Sequence, residues 1–261
     1  MIRLPLLDDN APDHFPDPRT ALIEPNGLLA FGGDLSPERL IAAYSHGIFP
    51  WFNEGEPILW WSPDPRCVFE TEALRPNRSL RRALSDTSWH ITADRAFREV
   101  MLACAAPRAG QAGTWISPAM IDAYVALHEM NRAHSVEVWD GDQLVGGIYG
   151  VSIGRLFCGE SMFSARSGGS KLALCALAGW LREWSCPWID AQVSNPHLLG
   201  LGAKEIPRSA FLQNVRVLTS APFDQQQWHN IADLPANRLL IDSDINGPDE
   251  VQASSEPDSC P

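Results

Sequence analysis

The chain has 261 residues, 45% hydrophobic and 20% charged, enough for one large domain or two ordinary ones with an ample core. No run of about 18 apolar residues occurs, so no membrane span is expected. The opening M-I-R-L-P-L-L-D-D-N has too short an apolar stretch for a secretory signal, so a cytoplasmic protein is expected. The formal net charge of −12, taken whole, disfavours a polyanionic partner.

The distribution of charge softens that exclusion. Asp242, Asp244, Asp249, Glu250, Glu256 and Asp258 crowd residues 242–261, which hold no base. Of the bases only Lys171 and Lys204 are lysines, and arginine suits bidentate phosphate contacts, although a GC-rich genome gives the same bias. Cys67, Cys104, Cys158, Cys175, Cys186 and Cys260 form no C-x-x-C pair, which argues against a zinc ribbon or a disulfide framework. They read as reduced thiols serving as small core residues.

In chain order, residues 1–30 are proline-rich and read as extended segments and turns. Ser36-Pro37-Glu38 opens a helix, with serine as cap, proline at the first helical position and the acid at the positive end. That helix runs to about Tyr44 and stops at Gly47. I-F-P-W-F-N and P-I-L-W-W-S-P-D-P-R then bring Trp51, Trp60 and Trp61 close together among prolines. Trp51, in a loop-like setting, is either a core aromatic under a loop or a stacking platform for a flat ligand such as a base. A boundary near Pro63–Pro65 divides a small N-terminal domain (1–64) from a second domain (65–235), followed by a disordered acidic tail (236–261).

In the second domain Cys67–Glu70 reads as a strand. Arg78, Arg81 and Arg82 fall at i, i+3 and i+4 on one face of a short helix beginning near Ser79. With Arg66 and Arg75 they make a basic patch, or simply a solvated face. His90–Thr92 is a strand, Asp94–Ala105 a helix, and Ser117-Pro118 starts a helix to about Arg132 carrying Tyr124 and a core-edge His128. His134–Trp139, Gln143–Ile153 and Arg155–Ser164 form an antiparallel meander. A helix follows over Ser170–Trp184 with Leu174, Leu177, Ala178 and Leu181 on its buried face. Then come a strand over Trp188–Val193, a turn or short helix at Asn195–Leu201 and a helix over Pro207–Val215.

Two strands carry polar groups in apolar runs. C-G-E-S-M-F-S holds Glu160, and W-I-D-A-Q-V holds Asp190 and Gln192, which alternation places on one face. Such groups are expensive to bury unless hydrogen-bonded or used, so they are structural pairs at a sheet edge or part of a site. R-S-G-G-S-K, between a strand and a helix, fits a phosphate loop loosely and is not a Walker loop. The histidines show no metal spacing. Meander, helix, strand, helix is the order of an acyl-CoA-dependent N-acetyltransferase, whose cofactor loop is half matched by Arg166–Gly169. The residues alone therefore point to an α+β (mixed α/β) fold and acyl transfer to an amine, with a nucleotide-bearing donor as an option.

E-P-N-G-L-L-A-F-G-G-D-L-S-P, G-I-F-P-W-F, P-I-L-W-W-S-P-D-P-R, G-T-W-I, H-S-V-E-V-W, L-F-C-G-E-S-M-F-S and I-D-A-Q-V followed by L-G-A-K-E-I-P-R together resemble the leucyl/phenylalanyl-tRNA–protein transferase family, from about Glu24 to Phe211. The resemblance implies a small N-terminal domain plus a C-terminal N-acetyltransferase-like (GNAT-type) domain with a largely antiparallel sheet. It implies transfer of leucine or phenylalanine, and methionine less well, from aminoacyl-tRNA to proteins with N-terminal arginine or lysine. That transfer marks them for N-end-rule degradation, and no metal or coenzyme takes part. Carried over by motif, Trp51 and Trp115 hold the terminal adenosine. Ile148, Phe157, Met162 and Leu177 form the amino-acid pocket, where isoleucine and leucine stand at positions often methionine or phenylalanine in relatives. Asp190, Gln192 and Glu160 form the polar centre, and Arg78, Arg81 and Arg82 meet the tRNA backbone. A monomer is expected. Phe157 and Glu160 alternate to opposite faces, so both line one site only if the strand bulges. Ser85-Asp86 stand where relatives continue the basic run. The rival readings are an acetyl-CoA-dependent N-acetyltransferase and a non-catalytic tRNA-binding module.

Overall fold

The computed structural model describes residues 4–84, 87–107 and 114–239. The chain runs through β1 (Leu6–Leu7), β2 (Leu28–Gly32), α1 (Pro37–Ser45), β3 (Phe49–Pro50), β4 (Leu59–Trp61), β5 (Arg66–Glu70), α2 (Arg78–Leu84), β6 (His90–Ala93), α3 (Phe97–Ala105) and α4 (Pro118–Glu129). It continues through β7 (Ala133–Asp140), β8 (Gln143–Ile153), β9 (Leu156–Ser164), α5 (Gly169–Glu183), β10 (Trp188–Gln192), α6 (Pro196–Gly200), β11 (Lys204–Ile206), α7 (Arg208–Ser220), α8 (Gln226–His229) and β12 (Leu234–Pro235).

A four-stranded sheet has the order β1-β2-β4-β3, and an eight-stranded sheet the order β11-β5-β10-β9-β8-β7-β6-β12. In the larger sheet β10 and β9 run parallel, joined by the crossover through α5, and the other neighbours are antiparallel. The result is a mixed α/β architecture.

Strand alternation splits the core into two layers. Val68, Leu156 and Cys158 face one side with Tyr149, where α1, α3, α4 and α7 pack. Cys67, Phe69, Phe157 and Ile189 face the other, against the apolar stripe of α5 and Trp228. The strands change sheet between Trp61 and Arg66, beside the expected domain boundary, yet Leu29, Leu40, Tyr44 and Trp60 lie in the same core as Tyr124 and Tyr149. The five cysteines among the described residues form no disulfide and are buried.

Local chemistry explains where element ends depart from expectation. Ser36 and Ser117 do cap α1 and α4, accepting from Arg39 N and Met120 N. Helix α3 starts at Phe97 rather than Asp94, because Asp94 sits at φ +58° and turns its carboxylate to His134 and the Ser135 N–H. Helix α4 stops before Arg132, since Asn131 takes φ +56°. Residue 236, expected to open a disordered tail, is instead placed in the fold: Leu234 and Pro235 pair with β6, and Ala236 is buried with its N–H on Trp89 O at 2.9 Å. The remaining tail residues, 240–261, lie outside the described residues.

The start of α5 presses directly on β8. A Cβ on Gly146 would stand 2.4 Å from the Gly169 carbonyl carbon, so only glycine fits there. Gly146→Ala is therefore expected to destabilise the protein by about 1–3 kcal/mol, as overpacking does. Chemical denaturation checks this, and an unchanged midpoint would mean that the helix can retreat.

Candidate active site

Glu160 owes its position to a bulge in β9. Gly150 of β8 pairs with Gly159, and Tyr149 pairs with Ser161, which leaves Glu160 as the extra residue. Its side chain turns toward the tyrosine layer. Tyr124 Oη donates to Glu160 Oε2 at 3.1 Å, and the Tyr44 and Tyr124 hydroxyls touch each other in turn. Gln192 Nε2 donates to Glu160 Oε1 at 2.6 Å. Burial pushes the carboxyl up from 4.5 to about 7, against the donated hydrogen bonds, which favour the ionised form.

The bulge expected from the sequence is present, but it aligns a different pair. Phe157 still faces away from Glu160. Met162, opposite Ile148, switches to the α5 layer, where Ile148, Phe157 and Leu177 are buried. Of these four, Met162 shares a cleft of about 760 Å³ with Glu160, Phe163, Ser164 and Ser170.

Asp190 and Gln192 do meet near Glu160, though not by plain alternation. Strand β10 shifts register between them, and Gln192 sits at φ +62°, a strained region for a residue with a Cβ. Asp190 Oδ1 accepts the Gln192 N–H at 3.0 Å and holds that turn. The same carboxylate receives a two-pronged contact from Arg66, Nε to Oδ1 at 2.8 Å and Nη2 to Oδ2 at 2.7 Å, with both side chains 1% exposed. Arg66 Nη1 donates to Gly47 O at 3.1 Å, and the guanidinium carbon lies over the Phe49 and Phe211 rings at 4.9 and 4.5 Å from their centres. Arg66 thus cannot join a surface basic patch. Its P-D-P-R setting in an apolar strand was the signal available.

Trp51 and Trp115 lie in one neighbourhood. Both line a cleft of about 310 Å³ together with Glu160, Gln192 and Asn195. Trp51 is 44% exposed and held from behind: its N–H donates to Leu59 O, and its carbonyl accepts from Trp61 Nε1 at 2.7 Å. Trp115 is partly buried against the tyrosine layer. Glu160, Asn195 and Leu198 line both clefts, so the Glu160–Gln192 contact sits where the two meet. Tyr44 and Asn195 had no functional reading in the sequence, because a helix-end tyrosine and a helix-capping asparagine are ordinary structural residues.

The remaining expected groups fall elsewhere. Arg78 and Arg82 are exposed on α2, while Arg81 folds back to donate to Pro76 O at 3.1 Å. Ser85-Asp86 lie outside the described residues. Asp94, His128 and His134 do come together, with potential ligand atoms within 4.8 Å of one another. However, His128 Nδ1 is 2.8 Å from Ala133 O, which can only accept, so that nitrogen carries a proton and has no lone pair for a metal. His128 stacks on Phe97 at 4.4 Å, at the core edge as expected. No helix among the described residues is long and apolar enough to cross a membrane.

Comparison with known proteins first defines the class: the chain is an aminoacyltransferase. Two family models match it, the leucyl/phenylalanyl-tRNA protein transferase N-terminal domain over residues 33–64 and leucyl/phenylalanyl-tRNA protein transferase over residues 68–216. The chain belongs to the leucyl/phenylalanyl-tRNA–protein transferase family. A protein of that name from Xanthomonas axonopodis pv. citri (strain 306) is 58% identical over 224 residues, 85% of this chain and 90% of the relative. One from Nitrosomonas europaea is 56% identical over 215 residues, 82% and 91% respectively. Among solved structures, L-PGS from Bacillus licheniformis covers 83% of this chain and 71% of its own at 12% identity, with a TM-score of 0.37, too loose to add to the topology above.

The Glu160 environment has a measurable consequence. Its carboxyl holds its proton in the folded state up to about 7, whereas the unfolded chain releases it near 4.5. Between those values the folded state binds more protons, so this group's contribution to stability is full below 4.5 and declines as pH rises through 7. Carboxyl NMR should give a midpoint near 7. Tyr124→Phe should raise it further, because it removes a donor that favours the ionised form. A wild-type midpoint near 4.5 would contradict the partly buried placement.

Proposed function

We propose that this chain moves leucine or phenylalanine, and methionine less well, from aminoacyl-tRNA to the α-amine of proteins beginning with arginine or lysine, marking them for N-end-rule degradation. The observation that carries the reading is the shared cleft of Trp51, Trp115, Glu160 and Gln192. Two indole faces suit the terminal adenosine of the tRNA, with stacking worth about 1–3 kcal/mol per base. The aminoacyl side chain enters the larger cleft toward Met162, with Ile148, Phe157 and Leu177 behind it. Arg78, Arg81 and Arg82 meet the tRNA backbone.

The chemistry asks for positioning more than activation. The aminoacyl ester is already reactive, and a protein α-amine has a reference pKa of about 8. Glu160, with its midpoint of about 7, is matched to receive the proton that the incoming ammonium must lose. The neutral amine attacks the ester carbonyl, the new amide bond forms, and the ribose oxygen leaves and takes up a proton. Gln192 orients amine and carbonyl by its carboxamide, and Asp190 acts through the Gln192 backbone. Holding both reactants in line supplies most of the acceleration.

Residues 1–64 and 65–235 form the two units of this reading, the second of N-acetyltransferase type, in a cytoplasmic monomer. The antiparallel β7–β8–β9 meander followed by α5 and the parallel β10 supports that type.

Labelled leucyl-tRNA should pass its leucine to a peptide beginning with arginine and not to one beginning with alanine. Transfer to neither, with tRNA still bound, would leave a binding module instead. Protection by acetyl-CoA in a thermal-shift assay would favour the acetyltransferase alternative. Trp51→Ala or Trp115→Ala should raise the donor KM by roughly tenfold, as loss of one stacked base implies. Gln192→Ala should lower kcat more than donor affinity. Arg81→Ala with Arg82→Ala should weaken donor binding and flatten its salt dependence; equal binding at every salt concentration would remove α2 from the interface.

A further inference from the structure

Arg66 is the group whose placement the reaction scheme leaves unused. It is an arginine side chain, 1% exposed, in a strand that otherwise reads as core. Its three guanidinium nitrogens donate to two separate parts of the fold. Nε and Nη2 meet the two Asp190 oxygens, and Nη1 meets Gly47 O. Gly47 sits at φ +71° in the turn leading from α1 into Phe49–Pro50, which are cleft residues next to Trp51. Phe49 covers one face of the guanidinium, and Phe211 of α7 packs on it too.

On the other side of the ion pair, Asp190 Oδ1 is shared between Arg66 Nε and the Gln192 N–H. That N–H belongs to the residue at φ +62° whose carboxamide reaches Glu160. Turning the Asp190 carboxylate would leave the strained bulge without its acceptor, and Gln192 would relax out of line with Glu160. A lysine could supply the charge but not the fork, because its ammonium is a point donor without a planar two-pronged edge.

We propose that Arg66 is a positioning residue for aminoacyl transfer: by clamping Asp190 and the Gly47–Phe49 turn at once, it fixes the Gln192 carboxamide against Glu160 in register with the donor cleft. This rests on the transfer reaction proposed above. Trp51 has its own supports in Leu59 O and the Trp61 indole, so donor binding is set separately.

The test uses full-length protein with labelled leucyl-tRNA and an arginine-initiated peptide, assayed well below each variant's melting midpoint. Arg66→Lys is expected to lower kcat at least tenfold while the donor KM stays within about threefold, and to speed hydrogen exchange at the Gln192 backbone amide at least tenfold. Should Arg66→Lys fail to fold, the charge-free pair Arg66→Met with Asp190→Leu leaves no lone buried charge. It is expected to fold and bind donor but turn over at least tenfold more slowly. A folded variant of either kind with a near wild-type kcat, or an unchanged Gln192 exchange rate in Arg66→Lys, would overturn the clamp. Wild type that transfers no leucine would sink the transfer reading itself, whereas active wild type beside equally active variants would sink the clamp alone.

Discussion

The buried pair of Arg66 and Asp190 is the constraint on which the rest of the site depends. Taking both charges out of water carries a penalty of several kcal/mol per ion, and removing one partner typically costs about 3–5 kcal/mol because the other is stranded. The fold meets that penalty by satisfying the groups around it. Asp190 receives two guanidinium contacts and a backbone N–H, and Arg66 finds a carbonyl and two aromatic faces as well. A hydrophobic pair of similar volume would stabilise the core at least as well. What such a pair could not do is hold the N–H of a residue in the left-handed region.

Two irregularities in the eight-stranded sheet build the polar centre. The β9 bulge frees Glu160 from the pairing and sends it to the tyrosines, while the β10 irregularity turns Gln192 to meet it. Both strands are otherwise regular. The site is therefore precise for the reason a strand is precise: each side chain is fixed by the ladder on either side of the defect. Aromatic walls are supplied from outside this sheet, Trp51 from the loop after β3 and Trp115 from the approach to α4.

Much of this was legible before any coordinates. The three-strand meander, the caps at Ser36 and Ser117 and the stripe of α5 follow from periodicity and end chemistry, and the described elements agree with them closely. The polar trio Glu160, Asp190 and Gln192 stood out because apolar strands rarely carry such groups without a partner. What periodicity could not carry was the partner's identity. Arg66 looked like surface charge beside Arg75, and nothing local says that its fork is answered by a residue far along the chain. The β10 irregularity was equally hidden, since alternation reads a strand as regular, and the β9 bulge was legible only as the condition for Phe157 and Glu160 to share a site. Short edge pieces such as β11 and β12 are fixed by the strand they join rather than by their own composition.

The common core beneath the two sheets bears on how this architecture can change over evolutionary time. Tyr44 comes from the N-terminal segment, yet its hydroxyl meets Tyr124 and, through it, the carboxyl of Glu160. Arg66 likewise grips the Gly47 carbonyl of that segment. The N-terminal segment is thus a wall of the candidate site rather than an attachment to it. Exchanging it between relatives would transplant part of the proton environment of Glu160 along with the aromatic wall, so the two halves are free to diverge only where they do not touch.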